Sequence, residues 1–442
     1  MRGIRHLYRA AAALLAAVWL TWPLAACETR PSGSPDGTGR PKETIPSAPS
    51  GSDAQTPSDT DADTDTDTNT DTDTDTDTDT DTDTDIETEP DWDALYPADE
   101  DYVLTSDGLF EVGSEQNIVV ILVDRFDMRY VNLIEQARPD YLEQFSDFTY
   151  YNNHVSTYSR TYPAVPLMLT GMLRDFAPDS RAADYFEAAY QQSPLLNGLK
   201  DAGFAVHLYT YDYYTYRNAR VFRGLVDNIG REDDGGVFEM DDPSIFAKLK
   251  DEGLTVGDHE KMFTLLHING THYPYQIDEN GDQAEGKGEA LGAALGSMRL
   301  VSMYIDGLKA KGLYENATII ITGDHPDPIS DYNEPTRARP TALFVKRAGV
   351  SHPYRVSSAP VSDLDLIPSI LKDGGVAAGC DVGTAYWEVD EGAVRPRYHY
   401  FLLNSDPKGN ESMTVYEVVG EAWDFANWKR LHNDPLNGSI YR

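Results

Sequence analysis

The run Asn117-Ile-Val-Val-Ile-Leu-Val-Asp124 constrains this chain more than any other stretch. It is apolar from Ile118 to Val123, so a strand made from it has no polar face to turn towards water and must be covered on both sides. A mostly parallel sheet with helices on each face provides that cover. The rest of the chain fits the same plan. Residues 194–203 read as a short helix ended by glycine, and 204–209 as the strand that follows. Residues 262–268 and 318–322 are further apolar runs, 289–312 has helical period, 341–345 reads as a strand and 363–371 as a helix. The expected fold class is therefore α/β: a mostly parallel central sheet flanked by helices, preceded by a disordered tether. In such sheets ligands bind outside the carboxyl ends of the strands, which is where Asp124, His267 and Asp324 fall.

The tether is set by charge and composition. The 442 residues carry a formal net charge of −38, and residues 53–93 contribute eighteen acids with no Lys or Arg. Residues 59–85 are almost pure Asp-Thr alternation, a composition that buries too little apolar surface to offset chain entropy. The sixty-odd residues of 28–93, if flexible, reach roughly 45 Å. The repeat lacks the turn glycine and closing Glu of a calcium loop, so it reads as a solvated stalk. Residues 94–442 keep a net charge of −23, which argues against nucleic acid as a partner. Two cysteines, Cys27 and Cys380, exclude a disulfide scaffold and a Cys-rich zinc site. Cys380 is expected to be a buried small hydrophobe.

At the N-terminus, Arg2, Arg5 and Arg9 precede a largely apolar run over residues 10–26. It ends in Leu24-Ala25-Ala26-Cys27, which resembles the lipobox of bacterial lipoproteins, whose cysteine is acylated. The expected organisation is a lipoprotein signal peptide over 1–27, a disordered Asp/Thr-rich linker over 28–93 and a catalytic domain over 94–442. The expected location is extracytoplasmic, anchored to a bacterial envelope membrane through lipid on Cys27.

Four short segments carry chemistry: Val123-Asp124-Arg125, the stretch from Ser159 to Gly171, the stretch from Leu266 to Tyr275, and Ile321-Thr322-Gly323-Asp324-His325. Each alone has an ordinary structural explanation. Asp124 could cap a helix, Thr161 could be an N-cap, and His325 could be a satisfied loop histidine. Together and in this order they resemble the alkaline phosphatase superfamily, which includes sulfatases, nucleotide pyrophosphatases, phosphoethanolamine transferases and lipoteichoic acid synthases. The resemblance spans residues 115–375. Phe148–Asn153 is similar to the aromatic lead-in before the nucleophile of sulfatase-like enzymes. Residues 161–171 resemble their "T-x-P…LTG" shape, His267 and His272 resemble the His-x-x-Gly-x-His-x-Pro pattern of phosphoethanolamine transferases, and 361–371 resembles a late helix of the family.

The resemblance implies roles at matching positions. Asp124, Asp324 and His325 would hold a divalent metal, and Thr161 would complete its shell as the nucleophile. Two carboxylates and one imidazole suit Zn2+ or Mn2+ better than Mg2+. His272 would meet the transferred group or protonate the leaving oxygen. His267 would bind substrate, orient His272 or face the core. Arg160 could clamp phosphate or lie on the surface, and His154 could line the pocket. The tyrosines at 209, 211, 213, 214 and 216 read as a packing segment, with sugar stacking as the alternative.

The sequence also departs from parts of that family. Formylglycine sulfatases use Cys or Ser followed by x-Pro-x-Arg; here Thr161 stands first and Val165 replaces the Arg. Asp324-His325 is followed by Pro326-Asp327-Pro328, with no further histidine before His352, so one metal site is expected and Asp327 is not assigned to a second. The resulting expectation is a metal-dependent extracytoplasmic phosphotransferase with a threonine nucleophile. It would move a phosphoethanolamine or phosphoglycerol-type group from a phospholipid head-group donor to an envelope glycan or polymer. The alternatives are a hydrolase of phospho- or sulfo-esters on the same site, and a non-catalytic surface binding protein.

Overall fold

The structure is a computed structural model that describes residues 91–174, 182–211, 215–234, 236–327, 337–377, 382–404 and 412–431. The expected lipobox at Cys27, the linker up to residue 90, Cys380, Tyr213 and Tyr214 lie outside the described residues.

Seven strands form the central sheet: β1 (Gln116–Val123), β2 (Phe148–Tyr151), β3 (Phe204–Tyr209), β4 (Lys261–Ile268), β5 (Ala317–Thr322), β6 (Leu343–Lys346) and β7 (Arg355–Ser357). Their spatial order is β7-β2-β6-β5-β1-β4-β3. β5, β1, β4 and β3 are mutually parallel, β7 is parallel to β2, and β6 runs antiparallel to both its neighbours. The fold is thus α/β with a mostly parallel sheet, as the apolar runs predict.

The alternation of β1 shows why its sequence has to be apolar throughout. Val119, Ile121 and Val123 face one core, packed with Val131 and Ile134 of α1 (Met128–Ala137). Ile118, Val120 and Leu122 face the other, with Val165 and Leu169 of α2 (Thr161–Thr170). The second core also takes in α3 (Ala182–Gln191) and α4 (Pro194–Asp201). The first core takes in α5 (Asp242–Glu252) and α6 (Ala290–Ala310), and the second α7 (Leu366–Asp373). Successive side chains of a strand point to opposite faces, so helices on both sides bury every one of them.

The boundaries differ from the expectation in two places. Residues 363–371 do not begin as an α-helix: Asp363–Asp365 is a 3-10 turn fixed by a reciprocal capping box between Ser362 and Asp365. The strand expected over 341–345 starts at Leu343, because Thr341 is drawn into a bridge with Asp127.

A second, three-stranded antiparallel sheet, β8 (Arg397–Asn404), β9 (Ser412–Val418) and β10 (Trp428–Leu431), was not foreseen. It backs the chain just before α2. Arg397 donates to the backbone carbonyl and side-chain oxygen of Asn153 (2.6 and 2.8 Å), and the His399 ring meets the Ser156 carbonyl at 2.7 Å. The backbones of Tyr400 and residues 157–159 exchange hydrogen bonds. Asp363 accepts from both the amide and the hydroxyl of Thr157 (2.8 and 2.5 Å). The lead into Thr161 is therefore held from two sides. No helix among the described residues is long and apolar enough to cross a membrane.

Candidate active site

Three strand ends deliver the site. Asp124 follows β1, Asp324 and His325 follow β5, and His267 is the penultimate residue of β4, in register with Leu122. Two glycines permit the approach. A side chain at Gly323 would stand 2.3 Å from the Phe126 carbonyl, and one at Gly270, whose φ is +51°, would stand 2.3 Å from Val123. Arg125 adopts a left-handed φ of 61°, uncommon for a residue with a side chain. That turn aims its amide at Asp324 Oδ1, 3.0 Å away.

Asp124, Asp324 and His325 are buried and each offers a ligand atom, all within 4.8 Å of one another. Asp324 Oδ1 takes the amides of Arg125 and His325, which leaves Oδ2 without a hydrogen-bond partner; Asp124 Oδ1 has none either. His325 Nδ1 donates to the Pro326 carbonyl at 2.8 Å, so Nε2 carries the lone pair. That nitrogen stands 3.4 Å from Asp324 Oδ2 and 3.8 Å from Asp124 Oδ1. The Thr161 hydroxyl donates to it at 3.2 Å. Burial, reinforced by Arg125, pushes the His325 pKa down to about 3, so the imidazole is neutral. Burial and then the Asp324 charge hold Asp124 well above the usual carboxylate range. Two buried carboxylate oxygens facing a neutral imidazole nitrogen, with nothing donating to them, fit a divalent cation.

Asp327 is engaged by cations and by a hydroxyl. It is fully buried, ion-pairs with Arg129 and with Arg125 (3.7 Å), and accepts from the Tyr130 hydroxyl at 3.2 Å. Arg125 also approaches Asp124 at 3.9 Å.

The histidines divide. His272 lies on the loop after β4. Burial, then the positive field of Arg125, lowers its pKa to about 4; His325 and Asp324 are also within electrostatic reach. His267 is fully enclosed. Its Nδ1 meets Thr210 Oγ1 at 2.9 Å, its ring packs edge-on against Tyr211, and its Nε2 has no partner. Asp324, His325 and His272 all bear on its pKa, which burial lowers to about 4. His154 is not brought to this site; it is buried edge-on to Tyr386 with Nδ1 at 3.3 Å from the Thr341 carbonyl. Arg160 is near enough to His325 to disfavour its protonation. Tyr209 and Tyr216 pack inside the fold.

Sequence reasoning missed Asp242. At the start of α5 and fully buried, it accepts the amides of Asn269 and Gly270 at 2.8 and 2.6 Å. It thereby fixes the turn that carries Thr271 and His272. Thr271 Oγ1 in turn donates to the Asp124 carbonyl at 2.8 Å. Nothing local marks this acid, because its partners are backbone groups 27 and 28 residues away. Asp242→Asn puts an amide donor against one of those N–H groups. We expect turnover to fall about tenfold to a hundredfold through misplaced His272, with metal content unchanged. A folded variant with full turnover would remove Asp242 from the account.

The sulfatase family model matches residues 116–376. The chain belongs to the sulfatase family. Its three candidate ligands and Thr161 all fall within the matched residues, so the site described above belongs to the family domain. No curated protein matches the chain in sequence. Among solved structures it is similar to an alkaline phosphatase superfamily protein from Vibrio parahaemolyticus, at 16% identity over 76% of this chain and 85% of that one, with a TM-score of 0.48. It is also similar to the phosphonate monoester hydrolase SpPMH from Silicibacter pomeroyi (14% identity, 74% and 90% covered, TM-score 0.49). A third is the lipoteichoic acid synthase LtaP from Listeria monocytogenes (13% identity, 74% and 88% covered, TM-score 0.45). At such identities nothing about substrate passes from those proteins to this sulfatase-family chain.

Proposed function

We propose that this member of the sulfatase family is an extracytoplasmic phosphotransferase that uses Thr161 as nucleophile. The observation that carries the proposal is the Thr161 hydroxyl, buried and 3.2 Å from His325 Nε2, beside two unpartnered carboxylate oxygens. Asp124, Asp324 and His325 would hold Zn2+ or Mn2+, with Thr161 beside them. When bound, the cation supplies Lewis acidity, easing loss of the threonine proton and offsetting phosphoryl charge.

Thr161 Oγ gives up its proton and attacks the phosphorus of a phosphodiester, the bond from phosphorus to the leaving oxygen breaks, and the leaving oxygen takes up one proton, which balances the one lost by Thr161. An acceptor alcohol then attacks the phospho-threonine, gives up its proton and frees Thr161. His272, on the turn fixed by Asp242, would meet the transferred group or protonate the leaving oxygen. Support for transfer comes from the pattern His267-Ile-Asn-Gly270-Thr-His272-Tyr-Pro274, which resembles that of phosphoethanolamine transferases. The donor is a phospholipid carrying a phosphoethanolamine or phosphoglycerol head group, and the acceptor an envelope glycan or polymer. Lipid on Cys27 and the acidic linker would keep the domain near its donor.

Product analysis tests the proposal. With a head-group phosphodiester and rising concentrations of a sugar alcohol, transfer predicts that the phosphorylated alcohol grows at the expense of free phospho-headgroup. Free product alone, at every acceptor concentration, would make the enzyme a hydrolase. Deleting residues 53–90, which keeps Trp92 against Gly224 and Asp93 paired with Arg220, should change turnover of small soluble substrates by less than about twofold. A loss of tenfold or more would give the acidic tract a part in catalysis.

A further inference from the structure

Arg125 follows Asp124 where the chain leaves β1, in a left-handed conformation that glycine takes freely and a residue with a side chain seldom does (φ 61°). Backbone strain of this kind gathers at functional sites. The side chain is only 16% exposed, yet its guanidinium is little used. Nη1 stands 3.7 Å from Asp327 Oδ1 and Nε 3.9 Å from Asp124 Oδ1, both beyond hydrogen-bond length. Nε is buried without a partner. Asp327 is held more closely by Arg129 and Tyr130. A guanidinium carries five N–H donors in a planar fork. Among the described residues, none of those on Arg125 makes a hydrogen bond to protein.

The place of that fork ties it to the reacting atoms. The Asp124 oxygen it approaches lies 3.8 Å from His325 Nε2, the nitrogen that the Thr161 hydroxyl meets at 3.2 Å. No other charge acts as strongly as Arg125 on either His325 or His272. Arg160, the other guanidinium within reach of His325, has the weaker effect. Charge balance calls for such a group. A divalent cation between Asp124 and Asp324 is formally neutralised by them, and Asp327 is matched by Arg129. A phosphodiester anion and an attacking oxygen that has lost its proton then add negative charge in a buried space, where uncompensated charge is costly.

We propose that Arg125 is a further catalytic residue: its guanidinium binds a non-bridging oxygen of the phosphoryl group while Thr161 attacks, adding a fixed positive charge to that of the cation. The inference rests on the proposed function and deepens it. Arg125 neither gains nor loses a proton, because a guanidinium stays charged. It holds the oxyanion while the bond to Thr161 Oγ forms and the bond to the leaving oxygen breaks. Donors already aimed at those oxygens in a water-poor site contribute most in the transition state.

The test compares Arg125→Gly, Arg125→Lys and the parent, each as the full metal-loaded chain. Glycine suits the left-handed turn, so the Gly variant should fold and keep its amide on Asp324. Its metal content should not fall, because a positive charge has been removed from beside the ligands. Calorimetric titration with inorganic phosphate, which needs no turnover, should show affinity about tenfold or more weaker in the Gly variant. On a head-group phosphodiester, kcat should fall about a hundredfold or more while KM changes by less. Arg125→Lys should keep part of both, and millimolar guanidinium should restore part of the activity of the Gly variant without stimulating the parent. Parent-like phosphate affinity and kcat in the Gly variant overturn the proposal. So does a loss that comes with lost metal and does not respond to guanidinium, the mark of a structural ion pair. Should the Gly variant fail to fold, Arg125→Lys decides: weaker phosphate binding and lower kcat with metal content intact support the proposal, and parent-like values for both overturn it. Failure of the catalytic reading shows separately, as a parent chain that binds no metal and forms no adduct at Thr161.

Discussion

Thr161→Ala should give a folded, metal-loaded protein whose turnover is lower by roughly a thousandfold or more, the scale seen when a nucleophile acting as part of a unit is removed. The hydroxyl makes one hydrogen bond, to His325 Nε2, and the backbone before it is held independently by Asp363, Arg397 and His399. Its loss should therefore cost about 1 kcal/mol of stability or less. Thr161 is expected to complete the metal's shell, but Asp124, Asp324 and His325 remain, so the variant should still load metal at saturating concentration, with weaker affinity. Steady-state kinetics and a thermal melt, run on the same preparation, separate the two effects. Turnover at the original level would remove Thr161 as nucleophile. A collapse of the melt would show a structural residue instead.

Asp324→Asn should abolish metal binding at concentrations that saturate the parent, a loss of at least about a hundredfold in affinity. The Asn can keep the amides of Arg125 and His325 on its oxygen, because those fix Asp324 Oδ1. It then presents an NH2 group where Asp324 Oδ2 faces Asp124 and His325, a donor in place of a ligand. The melts should go in an uncommon direction. Without metal, Asp124 and Asp324 repel each other in a buried space, and that repulsion contributes to the raised pKa of Asp124. Removing one charge should make the chelator-treated variant more stable than the chelator-treated parent, while the parent alone gains from added Zn2+ or Mn2+. Equal metal content in both proteins would place the ion elsewhere.

Much of the framework could be read directly. The six apolar residues of β1 require cover on both faces, and the acids at the ends of β1 and β5 converge because parallel strands end on the same side. Strand ends account for Asp124 and Asp324, while the grouping with Thr161 and His325 is what the resemblance of the four segments implies. What stayed hidden acts across long sequence separations through groups that leave no periodic trace. Asp242 works through backbone amides of the 269–270 turn. Arg397 and His399 hold residues 153–156 from a sheet about 240 residues later. β6 reads as an ordinary buried strand, and only its neighbours reveal that it runs backwards. Asp327, left unassigned by the sequence, is engaged by Arg125, Arg129 and Tyr130.

The most direct test of the central claim is intact-mass spectrometry of the metal-loaded chain, quenched in acid during turnover of a head-group phosphodiester and then mapped by peptide. The account predicts an added mass equal to the transferred phospho-headgroup, confined to the peptide bearing Thr161 and absent from Thr161→Ala. Modification at another residue, or steady turnover by Thr161→Ala without any adduct, would contradict it.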